Sequence, residues 1–169
     1  MVTIKESGVV FGDFPEDNFY RIEHSAGHKF LGDGFKMVEF VFLDDKKLFL
    51  LEAKSSIPKP AQEKNWDDFW DGITEKFENG LLLQIMGCVK RNNAVYRELP
   101  DNLATMDWEK TSLQLRLVIP EVPTKHLPQM TDKFRQQLHK LRKIWNIDNR
   151  HIVVINSEKA QHEGLLNVG

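Results

Sequence analysis

Two short apolar runs, Met37–Leu43 and Leu48–Lys54, flank the charged residues Asp44-Asp45-Lys46-Lys47. Both runs are rich in β-branched, aromatic and aliphatic residues, and the charged break has turn composition, so the stretch predicts a β-hairpin. A two-residue or a four-residue loop gives the same register, with Glu39 opposite Glu52 and Met37 opposite Lys54. Side chains alternate along a strand. Glu39, Glu52 and Lys54 therefore share one face with Val41, Leu48 and Leu50. Phe40, Phe42, Phe49 and Leu51 point the other way, into a core.

Like charges directly opposite each other destabilise a strand pair, and apolar neighbours that exclude water aggravate the repulsion. A divalent cation between the carboxylates relieves it, because hard cations take oxygen ligands and demand negative charge. Lys54, one same-face step beyond Glu52, is placed to meet an anion held there. In the competing reading the acids are solvated on a wet hairpin face, with Lys54 as their ion-pair partner. A bulge or an odd loop would also undo the register.

With Glu39 on one strand and Glu52-Ala53-Lys54 on the next, the segment resembles the PD-(D/E)XK nuclease superfamily. That superfamily carries an acid, more often Asp, on one strand of a central hairpin and Glu-x-Lys on the following strand. The resemblance implies a restriction-endonuclease-like fold spanning residues 1–169 as one domain. It implies magnesium or manganese held by Glu39, Glu52 and the carbonyl of Ala53. It implies hydrolysis of nucleic acid phosphodiester bonds, DNA being favoured over RNA, with Lys54 orienting or activating the attacking water. Some members add an auxiliary acid ahead of the hairpin, for which Glu23 is the best-placed residue. Others carry a glutamine in the helix after Glu-x-Lys, matched by Gln84, although Cys88 stands where a tyrosine is usual. The alternative is a nuclease-like module without chemistry, binding nucleic acid or a partner protein in a larger complex. In either case the chain holds little beyond a core fold, and a partner protein is expected to supply specificity.

A chain of 169 residues is long enough to bury a real core. Its net charge of −2 provides no general attraction to nucleic acid, so any such binding needs a local patch. The candidate patch lies between Lys125 and Arg150 and includes Lys133, Arg135, Lys140, Arg142 and Lys143 on a predicted helix. Such a face can track phosphates without reading sequence; equally, basic residues near a helix C-terminus suit the helix dipole. The single cysteine, Cys88, excludes an internal disulfide framework and fits a reducing compartment. No apolar run reaches transmembrane length, and the opening MVTIKESG lacks a signal-peptide pattern. The expectation is a cytoplasmic protein without membrane partners.

Along the rest of the chain, Asn18–Ser25 reads as a first strand, or else Pro15 opens a short helix there. A helix is expected from about Gln62 to Lys90, its apolar stripe running through Trp70, Ile73, Phe77 and Leu81, with Asn79-Gly80 as a candidate break. Residues 91–110 read as irregular. Leu113–Ile119 alternates as a strand, a helix follows from about Gln129 to Trp145, and His151–Asn156 reads as an apolar strand at or near the centre of the sheet. Strand, helix and strand at this spacing predict a parallel right-handed crossover. With the hairpin, this gives an α/β protein: a mixed central sheet with an antiparallel core hairpin, flanked by helices. The tail beyond Lys159 is expected to be loosely held.

Overall fold

The computed structural model describes residues 1–167. Its central sheet has the strand order β3-β4-β5-β6-β7, made of Phe19–Tyr20, Phe40–Asp44, Lys47–Ala53, Ser112–Val118 and Ile152–Ile155. β3, β4 and β5 run antiparallel, whereas β5, β6 and β7 are mutually parallel. The chain is thus α/β with a mixed sheet and an antiparallel core hairpin. Ahead of the sheet, β1 (Val2–Glu6) and β2 (Val9–Phe14) form a separate hairpin. The helices are α1 (Ala26–Phe30), α2 (Glu63–Cys88), α3 (Asn93–Tyr96), α4 (Asp101–Ala104), α5 (Leu127–Gln137), α6 (His139–Trp145) and α7 (Ser157–His162).

The β4–β5 turn is the two-residue loop Asp45-Lys46, with Asp45 at φ 50°. From Phe40↔Leu51 to Asp44↔Lys47 the register is the expected one. It slips just before Phe40. The Glu39 N–H donates to the carbonyl of Leu51, the residue already opposite Phe40. Two residues of one strand thus share a partner on the other, as in a bulge. Met37 and Val38 are consecutive, yet both are buried in the same apolar cluster, so strand alternation does not extend back to Met37. The expected strand start at Met37 and the direct Glu39–Glu52 pairing are corrected accordingly.

Both faces of the sheet are buried. Val41, Leu48 and Leu50 pack with Trp70, Ile73, Phe77 and Leu81 of α2 in one cluster. Phe40, Phe49 and Leu51 pack with Ile4, Phe11 and Phe14 of the β1–β2 hairpin in a second. The face carrying Glu52 is therefore not a wet hairpin face.

α2 runs unbroken through Asn79-Gly80. A Cβ on Gly80 would lie 2.8 Å from Cγ2 of Val38, so this glycine permits close packing and does not end the helix. The second long helix does break: Leu138 leaves α-helical geometry between α5 and α6. β7 is the sheet's edge strand, not a central one; its apolar sequence is explained by α5 and α7, which both pack on it. The tail is tied down more than expected. α7 follows β7, Leu165 is fully buried, and Phe11 bridges to Leu166 on the N-terminal hairpin. Among the described residues no helix is long and apolar enough to cross a membrane.

Candidate active site at the end of β5

Glu52 is the penultimate residue of β5 and has no exposed surface. Two ammonium groups converge on its Oε1, Lys54 Nζ and Lys76 Nζ, each at 2.9 Å. They meet that oxygen as ions, outside hydrogen-bonding angles, and Oε2 of Glu52 has no hydrogen-bond partner. Burial raises the Glu52 carboxyl above the usual range, against the opposing pull of Lys76 and Lys54. Lys54 is partly exposed, its side chain retaining 35 % of its surface, and forms the open side of the cluster.

Lys76 comes from the middle of α2. Its Nζ also lies 3.2 Å from Oε1 of Glu23, to which it donates. Burial alone would lower the Lys76 pKa, but Glu52 and Glu23 hold it above the ordinary lysine value. Glu23 follows β3 and lies on no helix. Its N–H donates to the carbonyl of Glu39 at 3.3 Å, which brings the two acids side by side.

Glu39 is buried, and its Oε2 has no hydrogen-bond partner. Its pKa is pushed up to about 8, chiefly by burial, then by the hydrogen bond to Glu23 and the charges of Glu52, Glu23 and Glu6. Glu23 is held below the usual range: burial raises it, but the Glu39 hydrogen bond and Lys76 outweigh that. A proton on Glu39, donated to ionised Glu23, accounts for both directions. The cluster thus holds three carboxyl groups against two ammonium groups, and the proton makes up the difference.

Glu23, Glu39, Glu52 and Lys54 are brought together, with Ala53 buried beside Glu52 at the end of β5. Gln84 is not part of the group. It is buried eight residues along α2 from Lys76, about 12 Å by helical rise, and its Nε2 lies 3.6 Å from Sγ of Cys88. The basic residues also lie apart. Lys133 and Arg135 are on α5, and Lys140, Arg142 and Lys143 are on α6. α5 packs on β7, at the opposite edge of the sheet from β3. Two of the arginines serve the fold: Arg135 Nε donates to the Ile152 carbonyl at 2.9 Å, and Arg142 reaches the Ile147 carbonyl at 3.5 Å. Lys133 lines a depression with Ile57 and Pro58, on the segment that leaves β5 after Lys54.

Lys76 was not a candidate from sequence. Its only signal there is a place beside the apolar stripe, between Ile73 and Phe77, which also suits an ordinary solvated lysine. No protein-family model matches the chain, and neither curated proteins nor solved structures yield a match.

Proposed function

We propose that this chain is a divalent-metal-dependent nuclease with a restriction-endonuclease-like core, acting on nucleic acid phosphodiester bonds. One observation carries the reading. Two buried carboxyl groups, Glu39 and Glu52, each keep an oxygen without a hydrogen-bond partner, with Glu39 held protonated by burial and its acidic neighbours and the partly exposed Lys54 ammonium on Glu52. A structural ion pair leaves no such surplus, because a buried polar group without a partner costs about 1–3 kcal/mol.

Those two oxygens suit a hard cation, although among the described residues no three acidic, histidine or cysteine side chains converge as a metal group. Glu39, Glu52 and the Ala53 carbonyl would hold magnesium or manganese. Bound there, the cation would polarise the phosphate and lower the pKa of a water. Lys54, partly exposed and anchored to Glu52, neutralises charge developing on the phosphate or orients the attacking water. Lys76 fixes Glu52 and Glu23 from α2 and offsets the repulsion between them. Glu39 must give up its proton to act as a ligand. DNA is the favoured substrate, and Lys133, Lys140 and Lys143 are the basic positions on α5 and α6 available for phosphate contacts.

The test is cleavage of labelled single- and double-stranded DNA and RNA with magnesium or manganese. Cleavage is expected to be abolished by chelation and by Glu52→Gln. It should fall about a hundredfold or more in Lys54→Ala. No cleavage of any substrate by wild type would refute an active enzyme.

A second reading has its own observation. Lys76 already supplies positive charge at Glu52, as a metal would. On this reading the chain is a nuclease-like module without chemistry, binding nucleic acid or a partner protein. Manganese would then leave its melting temperature unchanged.

A further inference from the structure

We infer that a groove alongside α2 binds single-stranded nucleic acid and leads it to the Glu39–Glu52 cluster; this rests on the hydrolytic reading above and names its substrate class. The groove encloses about 720 Å³ between α2, the α3 region and the loop after α1. Its rim exposes three large apolar side chains, Phe30 at 77 %, Phe35 at 46 % and Leu82 at 51 %. Its charged lining residues are Arg91 and Arg97, both exposed and neither in an ion pair among the described residues; no acid lines it. Exposed aromatic faces with unpaired arginines, on a chain of net charge −2, fit an anionic polymer with flat, apolar bases. A duplex hides its base faces within the stack, so an aromatic platform favours unpaired strands.

The groove connects to the cluster in two ways. Phe35 also lines a second depression with His24 and His28, and His24 in turn lines a third with Glu23. These two depressions, which Asp33 and Glu98 also line, extend from the groove's Phe35 to Glu23, the carboxylate that accepts a hydrogen bond from Lys76. Along α2, Asn79 of the groove stands three residues from Lys76, about 4.5 Å along the helix axis and on a neighbouring face. The loop bearing Phe35 is also braced. His28 Nδ1 accepts from the His24 N–H at 3.0 Å, so Nε2 carries the proton and donates to the Phe35 carbonyl at 2.7 Å.

Binding of a labelled single strand of about twelve nucleotides and of its duplex is measured by fluorescence anisotropy on the whole chain without divalent metal. The wild type should bind the single strand at least about tenfold more tightly than the duplex. Phe30→Ala with Phe35→Ala should cost about tenfold or more on the single strand and little on the duplex. Arg91→Glu with Arg97→Glu should weaken binding and flatten its salt dependence. All four side chains are exposed, so unchanged melting temperatures confirm that the variants are folded. Equal binding by the wild type and the phenylalanine variant overturns the inference. So does an aromatic-dependent dimer in sedimentation with oligonucleotide binding unaltered. Selective single-strand binding without cleavage in manganese sinks the hydrolytic reading and leaves the groove assignment standing. Cleavage that is indifferent to both double variants does the reverse.

Discussion

Lys76 Nζ and Glu52 Oε1 stand 2.9 Å apart, the carboxylate with no exposed surface and the lysine side chain with 12 %. This contact joins α2 to β5 at the point where β5 delivers its acid. Through Glu23 it also joins β5 to the segment after β3. The cluster is therefore part of the tertiary structure as well as a candidate for chemistry.

Removing Lys76 should be costly. Lys76→Met leaves Glu52 buried with Lys54 as its remaining counter-ion, and breaking a buried pair costs about 3–5 kcal/mol. A loss of about 3 kcal/mol in urea unfolding is expected, with partial recovery when Glu52→Gln is added. A Lys76→Met protein as stable as wild type would mean that the ammonium is not holding the cluster.

Without metal, stability should fall as pH rises from about 5 to about 8. The folded Glu39 carboxyl, near 8, binds a proton that the unfolded one releases near 4.5, so across that window the native state holds more protons. The raised Glu52 carboxyl acts in the same direction, whereas His151, lowered chiefly by burial, opposes it below its ordinary 6.5. Glu39→Gln isolates the contribution. Denaturant midpoints at pH 5, 6.5 and 8 should show the variant gaining on wild type as pH rises; parallel profiles would contradict the shift.

Two glycines of α2 should respond oppositely to alanine. At Gly80 the new methyl meets Val38 Cγ2 at 2.8 Å, and overpacking costs about 1–3 kcal/mol. At Gly72 the nearest atom is the flexible Lys36 Nζ at 3.5 Å, so alanine should add up to about 1 kcal/mol through helix propensity. Melting curves of the two variants check both signs.

The hairpin register was legible because loops of two or four residues give the same pairing, and Phe40–Asp44 follows it. The slip at Glu39 was not, because it goes with the seating of Met37 and Val38 in one cluster, Val38 against Gly80 of a distant helix. Glu52 and Lys54 were singled out by the hairpin pattern and Glu23 only by the resemblance; the structure brings the three together. Lys76 was hidden because a polar residue beside an amphipathic stripe looks the same whether it faces water or a buried acid. The β1–β2 hairpin did carry a signal, Ser7-Gly8 between Val2–Glu6 and the apolar Val9-Val10-Phe11, and both turn residues have positive φ. The edge position of β7 left no trace, since burial on both faces makes an edge strand as apolar as a central one.

The central claim is that Glu39 and Glu52 form a site for a divalent cation, and calorimetric titration of manganese at pH 7 tests it most directly. With a folded pKa of about 8, Glu39 is mostly protonated at that pH and must lose its proton when the metal binds. Titrations in buffers of different ionisation enthalpy should therefore show one metal bound and about one proton released. Lys54→Ala should retain that binding and Glu52→Gln should lose it. No binding heat in any buffer, or binding that survives Glu52→Gln, would contradict the claim.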